Sequence, residues 1–362
     1  MAQPFSFGFS GDDIEEDPNE LSNPNENAGT PSNDAPPPLP ARTHDLDDLL
    51  STLPSKISYS LFTTTSPRGF TARLPRRSLF DIRLQLMAED PLSNPPNSTP
   101  LPGLAASDVS TNVYEGGFKT WECSADLVRF LLDRGPRKDL DDLVRVDHVI
   151  ELGCGTALPS LLLFQYAVRN ALAVYFTLTD YNADVLRLVT VPNLVLSWVA
   201  TLGEEGSREV FGEGGNPLVG DAEGEGELYV TPKVVDGFKA ALEAQGIVLT
   251  LISGSWTPVS QLLSLVPTDP ALNTFILGSE TIYSPASLAA FTEAIAELMK
   301  RVKSGKAIVA AKRVYFGVGG SVDGFREECA KRGCVAYEME FEGLGDGGVG
   351  GVRRCLVEVQ MY

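Results

Sequence analysis

An open α/β sheet, mostly parallel, with helices on both faces and an antiparallel strand at its C-terminal end, is the fold that this sequence predicts. Three observations predict it. From residue 111 onward, buried-strand patterns alternate with helical ones, as in a parallel sheet built from βαβ units. A short apolar strand, His148 to Leu152, runs into a tight glycine turn and then an apolar helix. The last two strand patterns are joined by a Gly-rich link, Gly343 to Gly351, which lets them pair as a hairpin.

Residues 1–45 read as a disordered acidic tail. The first fifty residues hold eleven acidic side chains against Arg42 alone, and are rich in Pro, Asn and Ser. Such a segment buries too little apolar surface to offset its ordering entropy. Residues 46–110 read as an N-terminal extension packed on the main domain. In it, 56–63 has strand composition, Ser66 to Gly69 is a turn, and Phe70 to Leu74 returns as a second strand. Ser78 caps a helix from Leu79 to Glu89, and 90–110 is a Pro/Ser/Asn-rich loop.

The main domain, 111–362, opens with a helix from Asp126 to Arg134. The strand His148–Leu152 and the helix Leu158–Val168 follow, then a second strand from Ala171 to Leu178 and a short helix from Asp184 to Val189. Residues 202–228 hold eight glycines and many acids, and read as a mobile, solvent-facing insertion. Pro232 to Ala244 is helical, Ile247 to Ile252 is the third strand and Thr274 to Leu277 the fourth. A helix from Ser287 to Val302, a strand from Ala307 to Lys312, a helix from Val322 to Arg332, and strands from Val335 to Phe341 and Arg353 to Val359 complete the chain.

Charge and composition narrow the function. The net charge is −19, of which the first fifty residues contribute −10. Phosphate contacts need Lys and Arg, so direct nucleic-acid binding is not expected, whereas a basic protein is a fitting partner. The five cysteines form no CxxC pair, and His44 and His148 are the only histidines, which argues against a Cys/His metal site. Free thiols suit a reducing compartment, cytoplasm or nucleus. The first residues lack a basic n-region and a long apolar run, and no window approaches the ~20 apolar residues of a membrane helix. A monomer that neither enters nor lies on a membrane is expected.

The glycine turn is Glu151-Leu-Gly-Cys-Gly-Thr-Ala157. Gly153 and Gly155 let the backbone turn sharply and a ligand approach closely. The turn lies at the carboxyl end of its strand, where open α/β sheets bind ligands. A dinucleotide site wants a third glycine where Leu158 stands, and Leu158 is bulky where the helix must pack close to the strand. The E-x-G-x-G-x-A form instead resembles motif I of the S-adenosylmethionine-dependent methyltransferases. About thirty residues on, Asp180 ends the second strand. A carboxylate there accepts both ribose hydroxyls, or caps the next helix. Trp256, after the third strand, either lies along an adenine or fills the core.

Five segments together resemble the protein-histidine N-methyltransferases of fungi and animals, within methyltransferase family sixteen. They are Phe5 to Phe9, Arg77 to Met87, Val113 to Cys123, Ser279 to Tyr283 and Tyr315 to Gly320. The resemblance runs to about residue 326, with interruptions at the tail and the 202–228 insertion. It implies the seven-stranded, Rossmann-like class I methyltransferase fold, and S-adenosyl-L-methionine as cofactor. It implies a single histidine of the large-subunit ribosomal protein L-three as substrate, methylated at the tele nitrogen. It also implies cofactor contacts from Thr120, Trp121, Glu122, Cys123, Ser124, Gly153, Thr179, Asp180, Tyr181, Gly254, Ser255, Trp256 and Ser279. Thr120 departs from the pattern, since aliphatic residues are common there.

Methyl transfer to a ring nitrogen needs that nitrogen unprotonated and in line with the methyl group. Neutral imidazole, with a pKa of about 6.5, meets the first need near pH 7. An acceptor for the other ring N–H fixes the tautomer. Glu280 is the candidate acceptor, from its position after the fourth strand, with Tyr283 shaping the pocket; otherwise Glu280 is a helix-start carboxylate. Three other functions compete. Glu280-Thr-Ile-Tyr283 also fits the acidic-x-x-aromatic pattern of the family's lysine enzymes. A non-catalytic ribosomal-protein chaperone would keep the fold, and a nicotinamide oxidoreductase is weakened by Leu158.

Overall fold

A computed structural model describes residues 38–89, 117–134, 146–219, 224–344 and 352–362. The chain enters through β1 (Arg42–His44) and the short helix α1 (Leu46–Ser51), capped by the Asp45 side chain. The hairpin β2 (Lys56–Thr65) and β3 (Thr71–Arg77) follows, then α2 (Leu79–Glu89). The alternating part begins with α3 (Glu122–Arg134), β4 (His148–Leu152), α4 (Leu158–Arg169), β5 (Tyr175–Asp180) and α5 (Ala183–Val199). It continues through α6 (Glu204–Phe211), β6 (Glu225–Tyr229), α7 (Pro232–Gln245), β7 (Val248–Ser253), α8 (Val259–Leu265) and β8 (Thr274–Ser279). Helix α9 (Pro285–Met299), β9 (Gly305–Lys312), α10 (Val322–Lys331), β10 (Cys334–Met339) and β11 (Arg354–Met361) end the chain.

The described residues form an eight-stranded sheet in the order β1-β7-β5-β4-β8-β9-β11-β10. β4 pairs in parallel with β5 on one side and β8 on the other. The chain therefore switches direction between β4 and β8, and the carboxyl ends of these strands open a crevice there. β11 runs antiparallel to both β9 and β10, with Leu356 opposite Ala310 and Ala336 opposite Val359. The seven strands from β7 to β10 are the mostly parallel sheet with an antiparallel C-terminal strand that the sequence predicts.

The central strands are apolar on both faces because helices cover both. On one face Phe164, Phe176, Phe238 and Trp198 meet in edge-on and tilted contacts between α4, α5, α7 and β5. On the other, Phe291 of α9 lies between Phe325 of α10 and Trp256. Burying each such ring contributes ~1.5–3 kcal/mol.

Four expectations change. The acidic tail was expected to reach residue 45, yet Arg42–His44 pair antiparallel with β7; residues 1–37, with the Phe5–Phe9 segment, lie outside the described residues. A low apolar content says nothing about backbone donors, and β1 supplies partners for an edge strand. The 202–228 insertion was expected to be mobile and solvent-facing. It instead contains α6 and β6, and β6 pairs with β2 to make a second sheet, β3-β2-β6. Within β6 one apolar side chain is the anchor: Leu228, fully buried opposite Ile57. The helix expected from Asp184 to Val189 runs on to Val199 through a π turn at Leu186–Thr190. Pro192, which has no N–H to give, lies just past that turn, after Val191. Finally, α3 begins at Glu122, one turn earlier than the apolar pattern suggests, which brings its first N–H groups to the crevice.

Candidate functional site

A cavity of about 570 Å³ opens at the carboxyl ends of β4, β5, β7 and β8. That size suits a drug-sized or nucleoside-sized ligand. The glycine turn forms its floor. Gly153 and Gly155 take φ of 71° and 51°, where side chains are disfavoured. A Cβ on Gly153 would sit 2.9 Å from Thr281 Cγ2 and 3.6 Å from the Trp256 ring. The turn therefore needs glycine so that the loops after β7 and β8 can close around it.

Asp180 ties β5 to this turn. Its Oδ2 accepts the Gly155 N–H at 3.0 Å and its Oδ1 the Asn182 N–H at 3.1 Å, and the residue lines the cavity. The α5 cap is Asn182, not Asp180. Thr179 does not line the cavity; its hydroxyl accepts the Trp256 indole N–H at 3.1 Å and so fixes the ring. Trp256 packs on Phe291 with ring centroids 5.6 Å apart, as its core reading expects, and also forms a cavity wall. Tyr181, Gly254 and Ser255 line the same wall. They are held by the segment before β1: the Leu39 N–H donates to the Tyr181 hydroxyl, and Leu39 O accepts the Ser255 N–H at 2.8 Å. Gly254 (φ 107°) has Pro40 O 2.4 Å from the position of an added Cβ.

Glu280 stands across the cavity, in the left-handed region (φ 56°), an unusual conformation for a residue with a side chain. The bond from its N–H to Ala310 O, 2.9 Å, helps to hold it there. Its carboxylate accepts the Cys123 N–H, in the first turn of α3, at 3.4 Å, and Lys312 Nζ lies 3.1 Å from its other oxygen. Lys312 also reaches Glu122 at 3.4 Å and lies 5.4 Å from the centre of the Trp121 ring. Burial works to lower the Lys312 pKa, but the two carboxylates more than reverse this and raise it. Burial, then Glu280, pushes the Cys123 thiol far up, so it stays neutral.

Of the residues expected at the site, Trp121, Ser124, Gly153, Asp180, Tyr181, Gly254, Ser255, Trp256, Ser279, Glu280 and Tyr283 line this one cavity. Four do not. Thr120 is turned to Arg76 and the Thr156 hydroxyl, at 2.9 and 3.1 Å. Glu122 is exposed and holds Lys312, Cys123 is buried behind Glu280, and Thr179 acts through Trp256. Their period and position match the site, but their side chains point past it. Residues not foreseen include Pro38, Gly117, Lys119 and Thr281 in the lining and Lys312 behind it. Lys312 was legible as the last residue of a strand, at the same sheet edge.

The Tyr315–Gly320 stretch braces this end from outside. The Tyr315 N–H donates to Gly320 O and the Gly320 N–H to Tyr283 O, both at 2.9 Å. A Cβ on Gly320 would fall 1.9 Å from Ile282 O. Residues 113–116 of the Val113–Cys123 segment lie outside the described residues.

No family model matches the chain. Histidine protein methyltransferase 1 of Saccharomyces cerevisiae is 37% identical over 349 residues, covering 89% of each chain. That of Schizosaccharomyces pombe is 33% identical over 333 residues, covering 91% of this chain and 86% of its own. The rat homologue is 30% identical over 255 residues, 70% of this chain and 59% of its own. Among solved structures, a glycopeptide N-methyltransferase complexed with sinefungin matches 62% of this chain and 84% of its own, at 11% identity and a TM-score of 0.33.

Proposed function

The chain belongs to the histidine protein methyltransferase family, and from that premise we propose that its acceptor is a single histidine of the large-subunit ribosomal protein L-three, methylated at the tele nitrogen. The methyl donor is S-adenosylmethionine, and the residues present fit it. Glycines cradle the floor, an indole and a carboxylate face the same space, and Thr281 Oγ1 is buried in the wall without a partner among the described residues. Bound there, it supplies a methyl group activated on a sulfonium.

In this reading Asp180 accepts from the ribose hydroxyls and Trp256 lies along the adenine. The observation that carries the acceptor half is the Glu280 carboxylate, held on both oxygens in the wall of the cavity that Asp180 also lines. A histidine enters neutral near pH 7. Its pros N–H donates to Glu280, which leaves the tele lone pair free to form the new N–C bond. Glu280 then faces the cation that results, and the pros proton leaves to water after release. Fixing one tautomer in line with the methyl group is worth more than any base here.

The ribosomal substrate and the tele position are supported by the Arg77–Met87 and Tyr315–Gly320 motifs, and by an acidic chain that suits a basic partner. Five buried, unpaired thiols are in keeping with the cytoplasm and nucleus, and we propose that the chain acts as a monomer. The test is to incubate it with methyl-labelled S-adenosylmethionine and large-subunit proteins from cells lacking it. One labelled ribosomal band that hydrolyses to tele-methylhistidine is expected; the pros isomer, or label on another protein, overturns the proposal.

A further inference from the structure

We infer that Lys312 sets the acceptor specificity of the site: its ammonium, paired with Glu280 at the acceptor end, makes the cavity accept a neutral imidazole and reject a protonated lysine side chain. The inference rests on the reading that Glu280 faces the acceptor.

Glu280 is the acidic group of an acidic-x-x-aromatic segment, a pattern equally able to receive a cation. What surrounds it decides. The Glu280 side chain is 7% exposed, and Lys312, at 22%, sits 3.1 Å from it. Glu122, the second carboxylate on Lys312, is 60% exposed and lies outside the cavity lining. Glu280 is therefore matched inside the fold by a resident cation, whose ammonium lies over the Trp121 ring of the cavity wall. Burial of such a pair is tolerable because each charge compensates the other.

A substrate lysine meets two obstacles at this wall. It arrives as an ammonium, since its pKa is about 10.4, and must approach a second ammonium through the one carboxylate they would share. Like charges in a water-poor site disfavour each other's charged forms. It must also lose a proton before its nitrogen has a lone pair, and Glu280 already holds the two donors that fix it. Imidazole meets neither obstacle, because it enters neutral and gives Glu280 only a hydrogen bond. Lys312 touches no reacting atom; it is a positioning residue that acts through Glu280.

The test uses the full chain as wild type, Lys312→Met and Lys312→Arg. The probes are the protein whose histidine the wild type labels and the same protein with that histidine replaced by lysine. If the wild type labels no histidine in ribosomal protein L-three, the substrate proposal fails, and the Lys312 test proceeds on the protein that is labelled. Lys312→Met is expected to cut the histidine-to-lysine rate ratio by about tenfold or more, the scale of one like-charge interaction at a partly buried site. Lys312→Arg restores the ratio. Cofactor affinity on the same preparations reports folding, and Lys312→Gln replaces Lys312→Met if that affinity is lost. A ratio unchanged in the neutral variant, with both rates falling together, overturns the inference and leaves Lys312 a structural residue.

Discussion

Glu151 is a carboxylate in the middle of the sheet, fully buried. Its Oε2 accepts both the N–H and the hydroxyl of Ser160, and its Oε1 has no partner among the described residues. Burial raises its pKa to about 8, against the help of Ser160. The folded chain therefore holds a proton that the unfolded chain releases near the ordinary carboxylate value of 4.5. Stability is full below that value and falls as pH rises through about 8, by at most ~1.4 kcal/mol per pH unit. Glu151→Gln keeps an acceptor for Ser160 and never ionises. Urea unfolding at pH 5.5 and pH 8 should show the wild type losing stability and the variant holding it; parallel losses would remove Glu151 as the cause.

Among the elements, the loop from Tyr315 to Gly320 carries no cavity-lining residue, yet the Tyr283 carbonyl accepts one of its N–H groups. Gly320→Ala puts a methyl group onto the Ile282 carbonyl, and one of the two must move. Turnover should fall at least ~10-fold, the cost of a small misplacement at a positioned site, while cofactor affinity, measured by calorimetry, stays within about twofold. Equal losses of both would mean that the loop supports the whole cavity. The alternating strands and helices were legible because their apolar periods and glycine ends are local signals. Leu158 and Asp180 were legible for the same reason, lying at fixed offsets from the glycine turn. β1, β6 and the pairing of Lys312 were not, because partners distant in sequence define them. β6 has one buried apolar anchor, Leu228, and Lys312 acts through Glu280, Glu122 and Trp121. The side-chain directions of Thr120 and Glu122 followed from the earlier start of α3, which an apolar pattern beginning at Asp126 could not show.

At the scale of the whole molecule, the N-terminal strand and the cavity form one unit. The stretch from Leu39 to His44 pairs with β7, bonds Tyr181 and Ser255, and crosses Gly254 so closely that a side chain there cannot fit. A chain cut after residue 45 should bind S-adenosylmethionine at least ~10-fold more weakly than one cut after residue 37, since the cut removes two or three hydrogen bonds that hold the wall, each worth ~0.5–1.5 kcal/mol. Equal affinities in a titration would make β1 a decoration of the sheet edge.

One carboxylate in one cavity carries the proposed transfer, with the donor on one side and an imidazole on the other. Its most direct measurement is single turnover of Glu280→Gln at saturating S-adenosylmethionine, beside the cofactor affinity of the same protein. A fall in the methylation rate of ~10²-fold or more, in the range of a lost preorganised electrostatic partner, with affinity retained, is the predicted result. An unchanged rate would contradict it, and Glu280 would then be only the anchor that ties Lys312 and α3 to the end of β8.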